Sequence, residues 1–101
     1  MDSDFLEYAR IFAVTHHEKW DGNGYPKGLK GKDIHILGRM MAISDVYDAL
    51  TEARPYKVAL PHSEAVNIIL NGKGSHFDPL LVDLFEIIHQ EFEKISMEDR
   101  G

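Results

Sequence analysis

The chain has 101 residues, room for one small domain and not for two. Its 44% hydrophobic and 28% charged residues exclude a disordered or fibrous chain, and the absence of cysteine excludes disulfides and thiolate metal sites, so any metal must be held by imidazole and carboxylate. The net charge of −6 disfavours binding to a nucleic-acid polymer, and no apolar run approaches the roughly 18 residues needed to span a bilayer.

The N-terminus, Met1-Asp2-Ser3-Asp4, is acidic where a signal peptide is basic, which points to a cytoplasmic protein in a reducing compartment. Charge is unevenly spread. From Lys19 to Lys57 seven basic residues stand against five acidic ones, a local +2 that leaves −8 for the rest. A basic centre in an acidic chain fits an anion site, although uneven surface charge alone produces the same pattern.

There is no internal repeat. The spacing of Phe5, Ala9, Phe12 and His16 predicts a first helix from about Ser3, a good N-cap, to about Glu18, with His16 continuing its inward stripe. Four glycines and a proline between Lys19 and Lys32 break the periodicity, and Asp21-Gly22-Asn23-Gly24-Tyr25-Pro26 is dense in turn formers. A loop of that length inside a small domain, carrying Trp20 and Tyr25, is expected to be packed and functional. A second helix over about Ile36 to Ala53 places Ile36, Met40, Ile43, Val46, Tyr47 and Leu50 on one apolar stripe. It should be the most buried element, and Arg54-Pro55 ends it. A third helix is expected from about His62 to Asn71, with Ala65, Ile68 and Ile69 inward and Gly72 and Gly74 as its stop. The fourth starts at Asp78-Pro79 and runs to about Ile95, with Leu81, Leu84, Phe85, Ile88 and Phe92 on one face. With no convincing strand, the fold class is all-α.

Three features carry chemistry. Adjacent His16 and His17 point about 100° apart if helical, so two metal ions roughly 3.5–4 Å apart could each take one imidazole. Such a pair is also commonly structural. Asp45 sits in the apolar run Met40 to Leu50, where a buried carboxylate needs a hydrogen-bond partner or a metal. It could instead face solvent, with Asp48 the inward residue. Arg54 and Lys57, three residues apart, suit a phosphate clamp, and they equally suit the negative end of the second helix.

The run His16-His17-Glu18-Lys19-Trp20-Asp21-Gly22-Asn23-Gly24-Tyr25-Pro26-Lys27-Gly28-Leu29 resembles the HD-GYP pattern HHE-x-x-D-G-x-G-Y-P-x-G-L. Gly38-Arg39 through Asp45 to Thr51, Arg54-Pro55-Tyr56-Lys57, and Gly74-Ser75-His76-Phe77-Asp78-Pro79-Leu80-Leu81-Val82 resemble three further blocks of that family, in order, so that the match covers about Phe5 to Phe92. The resemblance implies an all-helical domain that holds two or three divalent ions, iron or manganese, and hydrolyses cyclic di-GMP to the linear dinucleotide or GMP. By motif, His16, His17 and Asp45 would be metal ligands. Gly24, Tyr25 and Pro26 would line the substrate groove, and Arg54 and Lys57 would meet its phosphate.

The departures are as informative. The family takes further ligands from earlier helices, above all an adjacent His-Asp pair, and no His-Asp dipeptide occurs here. His35, His62, His76 and His89 read as ordinary surface or packing residues. Three ligands are too few for two or more ions, so the chain by itself is expected to bind metal weakly and to be catalytically incompetent, with no catalytic residue assigned. Residues 1–101 are expected to be the C-terminal portion of an HD-GYP domain, either a piece of a longer protein or a natural truncation. Apolar helix faces left without their covering helices are expected to drive self-association. The alternatives are a non-catalytic module that docks another signalling domain and a sensor that binds cyclic di-GMP without cleaving it.

Overall fold

The computed structural model describes residues 3–15 and 17–100. Four helices follow one another, α1 (Ser3–Thr15), α2 (Ile36–Thr51), α3 (His62–Asn71) and α4 (Pro79–Arg100), with a 3-10 turn at Gly31–Asp33. Among the described residues the only β pairings are three isolated bridges, so the fold is all-α. Helix α2 packs against α1, α3 and α4, and α3 packs against α4.

The first helix is shorter than its apolar spacing suggests. It stops at Thr15, whose hydroxyl donates back to the Ile11 carbonyl and whose own carbonyl accepts from the Glu18 amide in a tight turn. Among its described side chains Ile11 and Thr15 are buried. Ala9 is exposed, and the expectations for Phe5, Phe12 and His16 lie outside the described residues and side chains. Thr15 meets α2 at Gly38, where a Cβ would stand 2.6 Å from the Thr15 Cβ and closer still to its hydroxyl oxygen. Glycine at 38 is therefore what lets the two backbones approach.

The core comprises Ala42, Ile43 and Tyr47 of α2, Ala65, Val66 and Ile69 of α3, Phe77, and Val82 and Phe85 of α4. The expected stripe of α2 holds in its middle and not at its start: Ile43 and Tyr47 are buried and Val46 and Leu50 pack against the core, whereas Ile36 and Met40 are 41% and 50% exposed. The start is capped by the His35 side chain, which accepts from the Leu37 amide. Among the described residues α2 contributes more buried positions than any other helix, five against three in α3, although the wholly buried Ala65 and Ile69 belong to α3. That helix has the expected bounds, but Val66 is buried where Ile68 was expected.

Helix α4 continues past Ile95 to Arg100, since no glycine or proline interrupts it before Gly101. Leu84 and Ile88 are not sealed in the core. With Met40 and Phe92 they line an open apolar groove between α2 and α4. Further along the same contact, Tyr47 sits edge-on to Phe85 and Phe92 and its hydroxyl meets Nδ1 of His62 at 2.9 Å. Neither Tyr47 nor Thr51, which bonds back to the Tyr47 carbonyl, leaves a polar atom unsatisfied in the core.

Gly38→Ala forces Thr15 and the α1 backbone outward, an overpacking cost of about 1–3 kcal/mol. Thermal denaturation followed by circular dichroism is expected to show a lower midpoint with helical content retained below the transition. An unchanged midpoint would mean that the α1/α2 contact is loose.

Candidate functional site

The loop after α1 folds back on its own first residues. The Tyr25 amide donates to the His17 carbonyl at 3.0 Å, which brings the Tyr25 ring face to face with the His17 imidazole, centroids 4.6 Å apart and planes 22° apart. This return passes through Gly24, where a Cβ would lie 2.5 Å from the Lys19 amide nitrogen and 2.6 Å from Glu18 Cα. Only a residue without a side chain fits there. The Tyr25-Pro26 peptide bond is cis, and both residues are exposed, Tyr25 by 60%.

Glu18 holds the loop from inside. Only 2% exposed, it accepts from the Leu29 amide through Oε1 at 2.9 Å and from the Lys27 amide through Oε2 at 3.0 Å. Both carboxylate oxygens are thus used to fix the far strand of the loop to the residue that follows His17. Charge-assisted bonds of this kind are about twice as strong as neutral ones. Asp21 shapes the tip by accepting from the Asn23 amide at 2.9 Å.

A second set of bonds fastens the loop to the rest of the domain. The Trp20 and Asp21 amides donate to the carbonyls of His76 and Ser75, at 3.1 and 2.9 Å, in the turn that precedes α4. Arg39, in the first turn of α2, donates to the Ile34 carbonyl at 3.0 Å and to the buried Asp78 carboxylate at 2.7 Å, with its guanidinium 6.0 Å from the centre of the Trp20 ring. Asp78 also accepts from the Leu80 amide and so caps α4. His76 stacks on Phe77, and burial, with the Lys19 charge adding to it, holds its imidazole below the ordinary histidine pKa.

The candidate residues are placed unevenly. His17, Gly24, Tyr25 and Pro26 come together on the loop. Asp45 lies exposed on α2, so its carboxylate is not the buried one considered from sequence; Asp48 is exposed as well. His16 lies outside the described residues. Arg54 and Lys57 are exposed and close a tight turn through reciprocal backbone bonds of 2.9 and 3.0 Å. The Lys57 ammonium donates to the carbonyls of Ala49 and Leu50, at 2.7 and 3.3 Å, capping the C-terminus of α2. A phosphate contact would require it to leave them.

Among the described residues no three His, Asp or Glu side chains converge as a metal site. His17 and Asp45 are suitable donor types, but two described donors do not make a shell for two or three ions.

The HD domain family model matches residues 3–81, which takes in the loop, its Arg39-Asp78 anchor and α2. The chain belongs to the HD domain family. The HHE-to-GYP run and the relatives make this HD domain one of HD-GYP type. A probable cyclic di-GMP phosphodiesterase of Vibrio cholerae is 54% identical over 91 residues, 90% of this chain and 21% of the relative. A 3'3'-cGAMP-specific phosphodiesterase 2 of the same organism is 48% identical over 78% of this chain and 15% of its own length. A cyclic di-GMP phosphodiesterase of Thermotoga maritima is 36% identical over 98% of this chain and 27% of its own. This HD domain chain therefore spans about a quarter or less of the curated relatives it matches.

Glu18 and Arg39 are the residues that the sequence left without a role, and the partnership of Asp78, expected only as the cap of α4, with Arg39 was not foreseen. Glu18 lay inside a recognised motif, and a lone carboxylate between two histidines and a glycine-rich loop was its only signal. Arg39 and Asp78 are 39 residues apart with nothing to pair them.

Glu18→Ala strands two loop amides away from their acceptor and should destabilise the domain by about 2–3 kcal/mol, the scale for hydrogen bonds to a buried charged group. The loop should also become cleavable near Tyr25 in limited proteolysis under native conditions. Unchanged stability together with unchanged resistance at the loop would contradict the role assigned to Glu18.

Proposed function

We propose that this chain is the GYP-bearing portion of a metal-dependent phosphodiesterase of bacterial second-messenger signalling whose substrate is cyclic di-GMP. In this reading His16, His17 and Asp45 are metal ligands, Gly24, Tyr25 and Pro26 line the substrate groove, and Arg54 offers the first charge to a substrate phosphate, with Lys57 joining it after leaving the α2 carbonyls. The bound ions, iron or manganese, would supply an activated water and charge neutralisation at the phosphoryl group. The protein's own part is to hold the loop rigid and place donors and aromatic surface around it.

The observation that carries the reading is the stacked His17-Tyr25 pair, a ligand-type imidazole and a ligand-facing aromatic locked together at an exposed surface by a buried carboxylate. Well-ordered exposed aromatic surface suits a guanine base. The local +2 charge between Lys19 and Lys57 suits a dianion. The likeness to a 3'3'-cGAMP-specific enzyme favours a second reading, in which the substrate is a mixed cyclic dinucleotide held by the same groove. With only three candidate ligands, the chain alone binds metal weakly, does not turn substrate over, and self-associates through the α2/α4 groove. It resides in the cytoplasm.

The test is manganese binding by calorimetry, cyclic dinucleotide hydrolysis, and light scattering on the same preparation. Weak manganese binding that falls about tenfold in His17→Ala and in Asp45→Ala, no turnover, and a mass above the monomer are expected. Manganese binding indifferent to both substitutions, or brisk hydrolysis by the 101-residue chain, would overturn the assignment.

A further inference from the structure

Away from the loop, three polar groups from three helices form an unbroken chain in an otherwise apolar seam. Tyr47 of α2 meets Nδ1 of His62 at the start of α3, and Nε2 of His62 meets Nδ1 of His89, midway along α4, at 3.0 Å. The imidazole centroids are 5.1 Å apart with ring planes inclined by 38°. Both histidines are half-buried, so their edges remain within reach of solvent. Neither belongs to the loop or to any motif of the proposed active site.

We propose that His62 and His89 form a bidentate site for a borderline divalent transition ion, of the zinc, nickel or copper class, that clips α3 to α4. Two imidazole nitrogens sharing one tetrahedral ion at about 2.0–2.1 Å stand about 3.3 Å apart. The observed pair is already within a few tenths of an ångström of that separation, and a small rotation of each ring turns two facing nitrogens toward a common ion. No net proton is released. In a tautomer that satisfies both bonds, His62 carries its proton on Nδ1 and donates it to the Tyr47 oxygen, and its Nε2 accepts from Nδ1–H of His89. On binding, the His89 proton passes through solvent to its Nε2, so that Nε2 of His62 and Nδ1 of His89 are both free as ligands while the Tyr47 bond is unchanged.

Tyr47 is therefore the positioning residue of the site, since metal-bound histidines are characteristically held by a hydrogen bond from the second ring nitrogen. Water completes the coordination sphere on the exposed side. Glu93, one helical turn beyond His89 on the same face of α4, adds negative charge nearby. The donor set of two neutral imidazoles selects zinc, nickel or copper over magnesium or calcium.

Titration of the 101-residue chain with zinc chloride, followed by thermal denaturation, tests this. Zinc at about five times its dissociation constant should raise the melting temperature by roughly 4–8 °C, a gain lost in His62→Gln and His89→Gln and kept in His16→Ala/His17→Ala. Magnesium should give none. Substoichiometric copper added to the unsubstituted chain reads the site without any variant: amide signals at the start of α3 and around His89 should broaden first, and the copper spectrum should carry two nitrogen ligands. Broadening confined to His17 and Asp45, or a zinc response retained in His89→Gln, overturns the site and leaves the proposed function standing. Loss of the His17 and Asp45 response alone does the reverse.

Discussion

A single buried carboxylate organises the functional end of this domain. Glu18 is satisfied by two backbone amides nine and eleven residues further on. A buried charge is tolerable only when such bonds are made, and these bonds can be made only if the loop closes. The carboxylate and the loop therefore determine each other. Closure then delivers Tyr25 onto His17, and the rest of the domain has to accommodate a rigid loop rather than a flexible one.

That accommodation is made by a second polar centre, Arg39 with Asp78. The pair is largely buried, with side chains 15% and 6% exposed, and each member has another duty. Arg39 reaches the Ile34 carbonyl and lies over Trp20, while Asp78 caps α4. One interaction thus joins the start of α2, the start of α4 and the base of the loop. Breaking a buried pair by removing one partner is costly because the other charge is left behind, so the three elements are held in register together.

The helices and their order were legible because glycine, proline and apolar spacing punctuate the chain clearly, and α3 fell within its expected bounds. Which face of each helix is buried was less legible. Spacing alone cannot say how many sides of a helix are covered, and α2 and α4 leave Met40, Leu84 and Ile88 on an open groove. The loop was recognisable as functional, and the glycine at 24 has a reason in the close approach of backbone to backbone. The residues that hold it were not recognisable, since Arg39 with Asp78, and His62 with His89, pair only through the tertiary fold. Lys57 shows the reverse case, where the modest reading of a cation at a helix end is what the geometry displays.

With both Glu18 bonds made, the loop is closed in the free protein, before any ligand or metal arrives. Native-state hydrogen exchange resolved by residue addresses this most directly. The Lys27 and Leu29 amides, which lie in an exposed loop but donate to Glu18, are predicted to exchange orders of magnitude more slowly than the Gly28 amide between them. Exchange of both at the rate of an unstructured peptide would contradict the account.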